Sequence, residues 1–180
     1  AGYVPWWIFD RGFTKTVLKE WGCAVDDDNL IIPIKDRKSR LVGWVTRQYD
    51  RNPKYLYSKG LKKSQVLFGE HKIKPSPFIC ITEGTLDTMW LDQHGYSSVA
   101  ILGVSLSRSQ QEALIKLPTD ELVLCLDNDE AGQIGTNRAM TCLSKSFVVS
   151  YVQIPNGYKD VQDIKDEKII KELINSRTFW

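Results

Sequence analysis

The chain has 180 residues, of which 42% are hydrophobic and 26% are charged, and its formal net charge is +2. This length allows one medium-sized domain or two small ones, and the composition is typical of a soluble globular protein. No apolar run approaches the roughly 18 residues of a membrane span, and no signal peptide opens the chain. The four cysteines include no Cys-x-x-Cys pair and there are two histidines, which argues against a zinc site and favours a reducing, cytoplasmic location.

Basic and acidic residues are unevenly distributed along the chain. Residues 1–74 hold 15 Lys/Arg and 8 Asp/Glu, a balance of +7, whereas residues 75–180 hold 9 and 14, a balance of −5. Ten of the basic residues lie between positions 35 and 63. A basic half beside an acidic half indicates that one part holds a polyanion and the other holds metal ions, although two ordinary solvated faces give the same balance.

The first 74 residues are expected to form a small α+β subdomain. A helix is predicted over 14–21, with Thr14 as its N-cap and Gly22 as its stop. The predicted strands span 30–34, 41–49, 55–57 and 66–68. A polar turn joins the first two strands, which predicts an antiparallel pair, and Pro75 and Pro77 mark a boundary after them.

From residue 78, apolar runs alternate with helical patterns. The predicted strands span 78–82, 98–102, 121–126 and 147–154, and the predicted helices end near residues 93, 117, 143 and 174. Ser107 and Gln110 have the spacing of a capping box at the start of the second of these helices. Apolar strands that alternate with helices predict an α/β fold in which helices cover both faces of a mostly parallel sheet.

Three acidic clusters follow three of these strands. They read Glu83-Gly-Thr-Leu-Asp87, Asp127-Asn-Asp129 and Asp160-Val-Gln-Asp163. Because sites in parallel sheets form at the carboxyl ends of strands, the clusters are expected to meet at one edge. Packed carboxylates repel one another unless a cation neutralises them, and they suit Mg²⁺ or Mn²⁺ bound together with substrate phosphates. The pattern therefore predicts a metal-dependent nucleotidyl-transfer enzyme.

Each cluster also has a purely structural interpretation. Glu83 complements the dipole of the helix that follows it, Asp129 caps the next helix, and the cluster from Asp160 to Asp163 forms an N-cap box. A cap does not explain Asp127, which follows an apolar run, and three acidic turns at successive strand ends are less easily explained than one.

At these residues the sequence resembles the TOPRIM domain, and the segment before it resembles the catalytic core of DnaG-type primases from bacteria, phages or plasmids. The matching motifs are Arg11-Gly-Phe-Thr, Pro33-Ile-Lys-Asp36, Gly43-Trp-Val-Thr-Arg47, Pro53-Lys-Tyr-Leu56, Lys63-x-x-x-Leu67-Phe-Gly69, Glu83-Gly-x-x-Asp87, Gly103-Val-Ser-Leu-Ser-Arg-Ser-Gln110, Asp127-x-Asp129-x-Ala-Gly132 and Lys159-Asp160-x-x-Asp163. Together they span about residues 6–165. Two departures are Tyr57, where the family has Asn, and the Asp-Val-Gln-Asp form of the third cluster, which looks more like phage or plasmid primases.

The resemblance implies a division of the chain into a basic N-terminal subdomain (1–74), a TOPRIM catalytic domain (75–165) and a C-terminal helix and tail (166–180). It implies that ribonucleoside triphosphates are joined into RNA primers on single-stranded DNA, with Mg²⁺ or Mn²⁺ and without zinc in these residues. A replicative helicase is the expected partner, through regions outside this sequence, and no membrane is expected.

The resemblance also assigns roles to residues. The metal ligands are Glu83, Asp87, Asp127, Asp129, Asp160 and Asp163, and the catalytic residues are Glu83, Asp127 and Asp129. Asp87 is expected to lie farther from the metal ion than the other ligands. Glu83 is either a ligand or a general acid/base. The residues that the resemblance implies contact phosphates of template or nucleotide are Arg11, Arg47, Lys54 and Lys63. Tyr55 is also expected to contact nucleic acid, by stacking on a base; Tyr55, Trp44, Tyr49 and Tyr57 either stack on bases or pack in the fold.

Two other functions are compatible with the acidic clusters. A TOPRIM nuclease uses the same carboxylates to hydrolyse DNA, but the basic segment at residues 11–69 matches the primases. A non-catalytic module that binds single-stranded DNA is expected to lack some of the carboxylates, and none is missing here.

Overall fold

The computed structural model describes residues 4–180, which divide into two compact units. The first unit ends at Lys62 and the second spans Lys63–Trp180. Among the described residues, every helix is too short or too polar to cross a bilayer. The functional division predicted after residue 74 differs from this structural division after Lys62, and it stays a prediction.

Two short helices open the first unit. Helix α1 spans Trp6–Asp10, and helix α2 spans Lys15–Glu20. Thr14 caps α2 because its Oγ1 accepts a hydrogen bond from the amide of Val17 (3.3 Å), as the sequence predicted. The chain leaves α2 through Gly22, whose φ of +70° lies in the left-handed region that favours glycine.

The first sheet has four antiparallel strands in sequential order. They are β1 (Ala24–Asp26), β2 (Asn29–Lys35), β3 (Leu41–Arg47) and β4 (Tyr55–Tyr57). In β2, burial alternates with a period of two, so that Leu30, Ile32 and Ile34 face the core. The predicted antiparallel pairing of β2 and β3 is confirmed.

The second sheet has five strands in the order β6-β5-β7-β8-β9. They are β5 (Ile79–Thr82), β6 (Ser98–Ala100), β7 (Glu121–Leu124), β8 (Val148–Tyr151) and β9 (Thr178–Phe179). The pairs among β5, β6, β7 and β8 are parallel, and β9 joins β8 in the antiparallel direction. The predicted α/β fold with a mostly parallel sheet is confirmed, whereas the short strand β9 was not anticipated.

Four helices accompany this sheet. They are α3 (Thr85–Gln93), α4 (Arg108–Leu114), α5 (Glu130–Leu143) and α6 (Glu167–Asn175). The predicted capping box at the start of α4 is present, since Ser107 Oγ accepts from the amide of Gln110 and the Gln110 side chain accepts from the amide of Ser107. Single turns of 3₁₀ helix lie at Lys63–Gln65, Glu70–Lys72 and Val161–Asp163.

The two faces of the parallel sheet have different chemistry. One face is apolar, where Ile81 and Leu124 share a buried cluster with Leu114 of α4 and Met140 of α5. On the face towards α3, small polar side chains meet the helix. The hydroxyls of Thr82 and Thr88 lie 2.8 Å apart, and the Ser98 hydroxyl donates to the Thr88 carbonyl (3.0 Å). Small residues let α3 approach the sheet closely.

Residues after Lys62 are fixed to the second unit by Gln110. Its buried amide nitrogen donates to the carbonyls of Ile101 (2.7 Å), Val66 (3.0 Å) and Lys63 (3.2 Å). The strand predicted at 66–68 is reduced to a bridge, in which Phe68 exchanges two backbone hydrogen bonds with Ala100.

A nearly buried ion pair holds β9 against the sheet. The Arg177 guanidinium donates to both carboxylate oxygens of Glu121 in β7, at 2.6 and 3.0 Å, and lies over the rings of Phe78 (4.8 Å) and Phe179 (5.2 Å). The bidentate geometry lowers the pKa of Glu121 because the guanidinium stabilises the ionised carboxylate.

Candidate metal centre

One carboxylate from each predicted acidic cluster reaches a common point beyond the carboxyl ends of β5, β7 and β8. Asp87 lies in the first turn of α3, Asp127 follows β7, and Asp160 is the N-cap of the 3₁₀ turn after β8. Each contributes a carboxylate oxygen, and these oxygens lie within 4.8 Å of one another. Asp87, Asp127 and Asp160 are called the acidic triad below.

The turn after β7 is shaped by close packing of helix α5. A Cβ atom added to Gly132 would lie 2.1 Å from the carbonyl oxygen of Asp127, so only glycine lets the helix approach the turn. The amide of Gly132 donates to Asp129 Oδ1 (2.7 Å), and the amide of Asp127 donates to Glu83 Oε1 (3.1 Å). These contacts fix the backbone of Asp127 between Glu83 and α5.

The third acidic turn is held by its own backbone. Asp160 Oδ1 accepts from the amide of Asp163 (3.0 Å), and Asp163 Oδ2 accepts from the amide of Lys159 (2.9 Å). The Lys159 carbonyl in turn accepts from the amide of Asn128 (2.7 Å), which joins this turn to the turn after β7.

The geometry therefore divides the six predicted ligands. Asp87, Asp127 and Asp160 form the triad, whereas Asp129 and Asp163 lie outside it. Asp129, Asp160 and Asp163 each use one oxygen to accept from a backbone amide. Asp87 was expected behind the other ligands, but it is a buried member of the triad because the first turn of α3 directs it there. Metal binding by Asp129, Asp163 and Glu83 stays a prediction.

The electrostatics of the site favour protonated carboxyl groups when no cation is bound. Burial, with the nearby charges of Asp160 and Asp127, raises the pKa of Asp87 well above its ordinary value. Burial and the charge of Asp160 raise the pKa of Asp127 to about 6. Burial and the charge of Asp127 raise the pKa of Glu83 to about 7.

These carboxylates fit a divalent cation. Asp87 Oδ1 is buried and has no hydrogen-bond partner among residues 4–180, which is costly for a carboxylate unless a cation or proton takes that place. Oxygens on opposite sides of a Mg²⁺ ion are about 4 Å apart. The triad therefore needs to contract by less than about 1 Å to hold such an ion. The structure is consistent with divalent metal binding and does not select the metal.

The residues predicted to contact template or nucleotide differ in exposure. Lys54 and Lys63 are exposed, and Arg11 is half-buried. Arg47 is buried, and its guanidinium lies 5.5 Å from the ring centre of Trp7 and 5.1 Å from that of Tyr55. In this conformation Arg47 contributes to packing of the first unit and is not presented to solvent, so its contact with a template stays a prediction.

The aromatic residues that were left between base stacking and packing also differ. Trp44 is 47% exposed on β3, and Tyr49 is 42% exposed. Tyr49 contacts Trp6 edge-on, with ring centres 5.3 Å apart, whereas Tyr57 is half-buried. Trp44 is therefore available to a ligand, and it is not the core residue that its size alone suggests.

A cavity of about 290 Å³ beside Asp127 was missed by the sequence analysis. Its polar wall includes Gln133 and Asn137 of α5 and Gln153 after β8. The spacing of Gln133 and Asn137 by four residues, which places both amides on one side of a helix, is the signal that points to this wall.

Comparison with known proteins agrees with this architecture. A family model described as Toprim-like matches residues 80–165. The DNA primase of Aquifex aeolicus is 33% identical over 160 residues, which cover 82% of this chain and 32% of that protein. The DNA primase of Rickettsia felis is 34% identical over 173 residues, covering 85% of this chain and 29% of the relative. The chain thus spans about a third of the length of the curated relatives it matches.

Solved structures show the same fold. The crystal structure of the zinc-binding and RNA polymerase domains of Aquifex aeolicus primase matches with a TM-score of 0.81 and 25% identity, over 97% of this chain and 55% of that one. A DnaG primase catalytic domain bound to single-stranded DNA matches with a TM-score of 0.76 and 18% identity, over 96% and 71%. The Toprim-like match and these structures together show that the chain has the fold of DnaG primase catalytic cores, and the curated relatives it resembles are DNA primases.

Proposed function

We propose that this chain is the catalytic core of a primase, which joins ribonucleotides into short RNA primers on single-stranded DNA. The observation that carries the proposal is the buried acidic triad at the carboxyl edge of a Toprim-like sheet. Two curated relatives, both DNA primases, are 33% and 34% identical to this chain over more than four-fifths of its length. Phosphoryl transfer asks mainly for positioning and charge neutralisation, which such a triad supports.

Asp87, Asp127 and Asp160 are the residues that would hold the cation, with Asp129 and Asp163 as further candidates. When bound, Mg²⁺ or Mn²⁺ supplies positive charge beside the triphosphate and the attacking oxygen. The triad then remains ionised, because a cation reverses the mutual repulsion that raises the pKa of Asp127.

Glu83 is the group that we assign to proton transfer. Its Oε1 accepts from the amide of Asp127, which holds it beside the triad. Burial is the largest cause of its raised pKa, which is about 7 without a cation, and a carboxyl group with a raised pKa is suited to proton transfer near neutral pH. In the proposed reaction the 3′-hydroxyl of one ribonucleotide attacks the α-phosphate of the next, so that Glu83 accepts the hydroxyl proton and pyrophosphate leaves.

The basic residues between positions 35 and 63 supply a salt-dependent contact with the DNA backbone. Ten basic residues between positions 35 and 63, including exposed Lys54, favour phosphate binding without base recognition. Exposed Trp44 offers a ring on which a base can stack. A helicase partner remains an expectation from the family resemblance.

Extension of an RNA primer annealed to a DNA template tests the proposal without requiring initiation. The wild-type protein with Mg²⁺ or Mn²⁺ is compared with Asp127→Asn and with Asp120→Asn, an exposed carboxylate outside the triad. A loss of several kcal/mol of transition-state stabilisation lowers extension by Asp127→Asn by about 100-fold or more. We expect Asp120→Asn to match the wild type.

An end-labelled DNA strand in the same reaction distinguishes the nuclease alternative. Cleavage of that strand without RNA extension would replace primer synthesis by DNA hydrolysis. Absence of both products, or extension that persists in Asp127→Asn, would refute a catalytic role for the triad.

A further inference from the structure

Helix α3 carries Asp87 of the acidic triad, yet it begins without a side-chain cap. Its N-cap is Gly84, which has no side chain to accept a hydrogen bond from the first turn, whereas Ser107 caps α4 and Asp129 caps α5. The position of Asp87 therefore depends on contacts that α3 makes with the rest of the second unit.

The sheet fixes α3 on one side. The hydroxyl of Thr82 in β5 donates to the carbonyl of Gly84 (3.2 Å) and lies 2.8 Å from the hydroxyl of Thr88. These contacts hold α3 against β5. They do not fix α3 relative to the third acidic turn, which carries Asp160.

Hydrogen bonds join the third acidic turn to α3. The backbone amide of Gln162 donates to the carboxylate of Asp87. The indole Nε1 of Trp90 donates to the carbonyl of Ile164, which ends the turn, at 3.0 Å. Because Trp90 follows Asp87 by three residues, both side chains lie on the same side of α3.

The indole ring of Trp90 is closely surrounded. Trp90 is 2% exposed, and its ring centre lies 4.4 Å from that of His94, four residues later. The ammonium group of Lys165, which follows the turn, lies 4.7 Å from the centre of the Trp90 ring and donates to the carbonyl of Gln162 (2.5 Å). Lys165 therefore supports the contact between the indole and the turn.

The separation of Asp87 and Asp160 decides whether the triad can hold a cation. Their carboxylate oxygens, with that of Asp127, lie within 4.8 Å of one another. Ligand oxygens on opposite sides of a Mg²⁺ ion are about 4 Å apart, so a shift of the turn by about 1 Å away from α3 would leave one carboxylate out of reach.

We propose that Trp90 is a positioning residue for the metal centre. Its hydrogen bond to Ile164 fixes the distance between Asp87 and Asp160, and Lys165 supports that bond from the turn. The inference rests on the proposed function, since it concerns the cation that the triad would hold. Residues that orient metal ligands without touching the ion typically contribute about 10- to 100-fold to metal affinity.

Equilibrium binding of Mn²⁺, followed by the electron paramagnetic resonance of the free ion, tests this role without RNA synthesis. Trp90→Phe keeps an aromatic ring and removes the indole N–H, and we expect it to weaken Mn²⁺ binding by about 10- to 100-fold. The matched control is Trp7→Phe in the first unit, because Trp7 is also buried and donates from Nε1 to a distant carbonyl, that of Asp28 (2.7 Å). Urea denaturation should show similar losses of stability for the two variants, whereas Trp7→Phe should bind Mn²⁺ as the wild type does.

A second variant, Lys165→Met, keeps the test decisive if Trp90→Phe fails to fold, because Lys165 is exposed. Loss of a positive charge by itself strengthens the binding of a cation, whereas loss of the support for Trp90 weakens it. We expect Lys165→Met to bind Mn²⁺ about 2- to 5-fold more weakly than the wild type. The control Lys168→Met removes an exposed lysine of α6 and should bind Mn²⁺ no more weakly than the wild type.

Three outcomes would overturn the inference: wild-type affinity in Trp90→Phe, an equal loss of affinity in Trp7→Phe, or Lys165→Met binding Mn²⁺ at least as tightly as the wild type. Asp127→Asn separates these outcomes from failure of the proposed function. If Asp127→Asn leaves Mn²⁺ binding unchanged, the triad is not the metal centre, and the proposed function fails together with the inference. If Asp127→Asn weakens Mn²⁺ binding while Trp90→Phe and Lys165→Met do not, the inference alone fails.

Discussion

Removing divalent cations is predicted to make the stability of this protein fall as the pH rises from about 5 to about 8. The reason is the acidic triad with Glu83. Asp87, Asp127 and Glu83 each have a higher pKa in the folded protein than in the unfolded chain, so the folded state binds protons more tightly. Stability is then fully present below the ordinary pKa values and is lost as the pH rises through the raised ones, which are about 6 for Asp127 and about 7 for Glu83.

The magnitude follows from these two values. Above about pH 5, the unfolded chain is mostly ionised at both positions, while Asp127 stays protonated in the folded state for about one further pH unit and Glu83 for about two. At 1.36 kcal/mol per unit, the free energy of unfolding falls by at most about 4 kcal/mol between about pH 5 and pH 8. Both groups are half-buried, and screening by solvent lowers the expected loss to about 2 kcal/mol. Asp87 acts in the same direction.

The window from about pH 5 upwards separates the site from the other carboxylates whose pKa values are shifted. Other carboxylates with shifted pKa values, Asp36 and Glu121, are shifted downwards, so they are already ionised in both the folded and the unfolded state there. Their contribution to stability is constant across the window.

Urea denaturation in a chelator at several pH values measures this loss. Asp127→Asn is expected to reduce the pH dependence, because it removes one titrating group and a charge that raises the pKa of Glu83. Asp120→Asn should retain the slope of the wild type. Millimolar Mg²⁺ or Mn²⁺ at the upper end of the window should restore the lost stability. A free energy of unfolding that stays flat or rises with pH in the chelator would refute the reasoning, as would a slope unaffected by Asp127→Asn.

Three further predictions concern packing, and urea denaturation tests each. Gly132→Ala places a Cβ 2.1 Å from a backbone oxygen, so we expect it to lower the free energy of unfolding by about 2 kcal/mol or more and to abolish stabilisation by Mg²⁺. The control Gly103→Ala, whose Cβ has no atom within 4 Å, should lower it by less than about 1 kcal/mol. Equal losses for the two variants would contradict the close packing at Gly132. Arg177→Met should lower the free energy of unfolding by about 2–3 kcal/mol, because it leaves the Glu121 carboxylate without its cationic partner. Adding Glu121→Gln to that variant should recover part of the loss. If the losses of the two single variants simply add in the double variant, the ion pair does not contribute. Gln110→Ala should cost about 2–4 kcal/mol because it leaves buried carbonyls without donors, and a change below about 1 kcal/mol would show that these bonds contribute little.

Local patterns predicted most of the second unit correctly because they act over a few residues. The capping box of α4 and the apolar runs of the parallel strands need only short stretches of sequence, and both are present. The strands were expected to be longer than they are. The run at 98–102 keeps its buried side chains to the end, but the ladder stops at Ala100 and Leu102 has a positive φ of 58°. Burial alone therefore does not mark where pairing stops.

Relations between distant residues were less accessible to sequence analysis. Asp87 and Asp129 are each the second carboxylate of their motif, yet Asp87 joins the triad while Asp129 caps α5. The direction of each side chain depends on how closely its helix packs against the sheet. Strand β9 is held by the ion pair between Arg177 and Glu121, which lies 56 residues earlier in the chain. The sequence of the tail alone does not indicate this ion pair.

The members of the acidic triad come from three segments that are far apart in the chain and are joined by separate helices. A cation shared by them would therefore act as a reversible crosslink between α3, the turn before α5 and the 3₁₀ turn before α6. Metal binding should then slow hydrogen exchange of backbone amides in these three turns together, while amides of the first unit keep their rates. In this protein, the ion that serves the chemistry would also couple the local opening of its three binding turns.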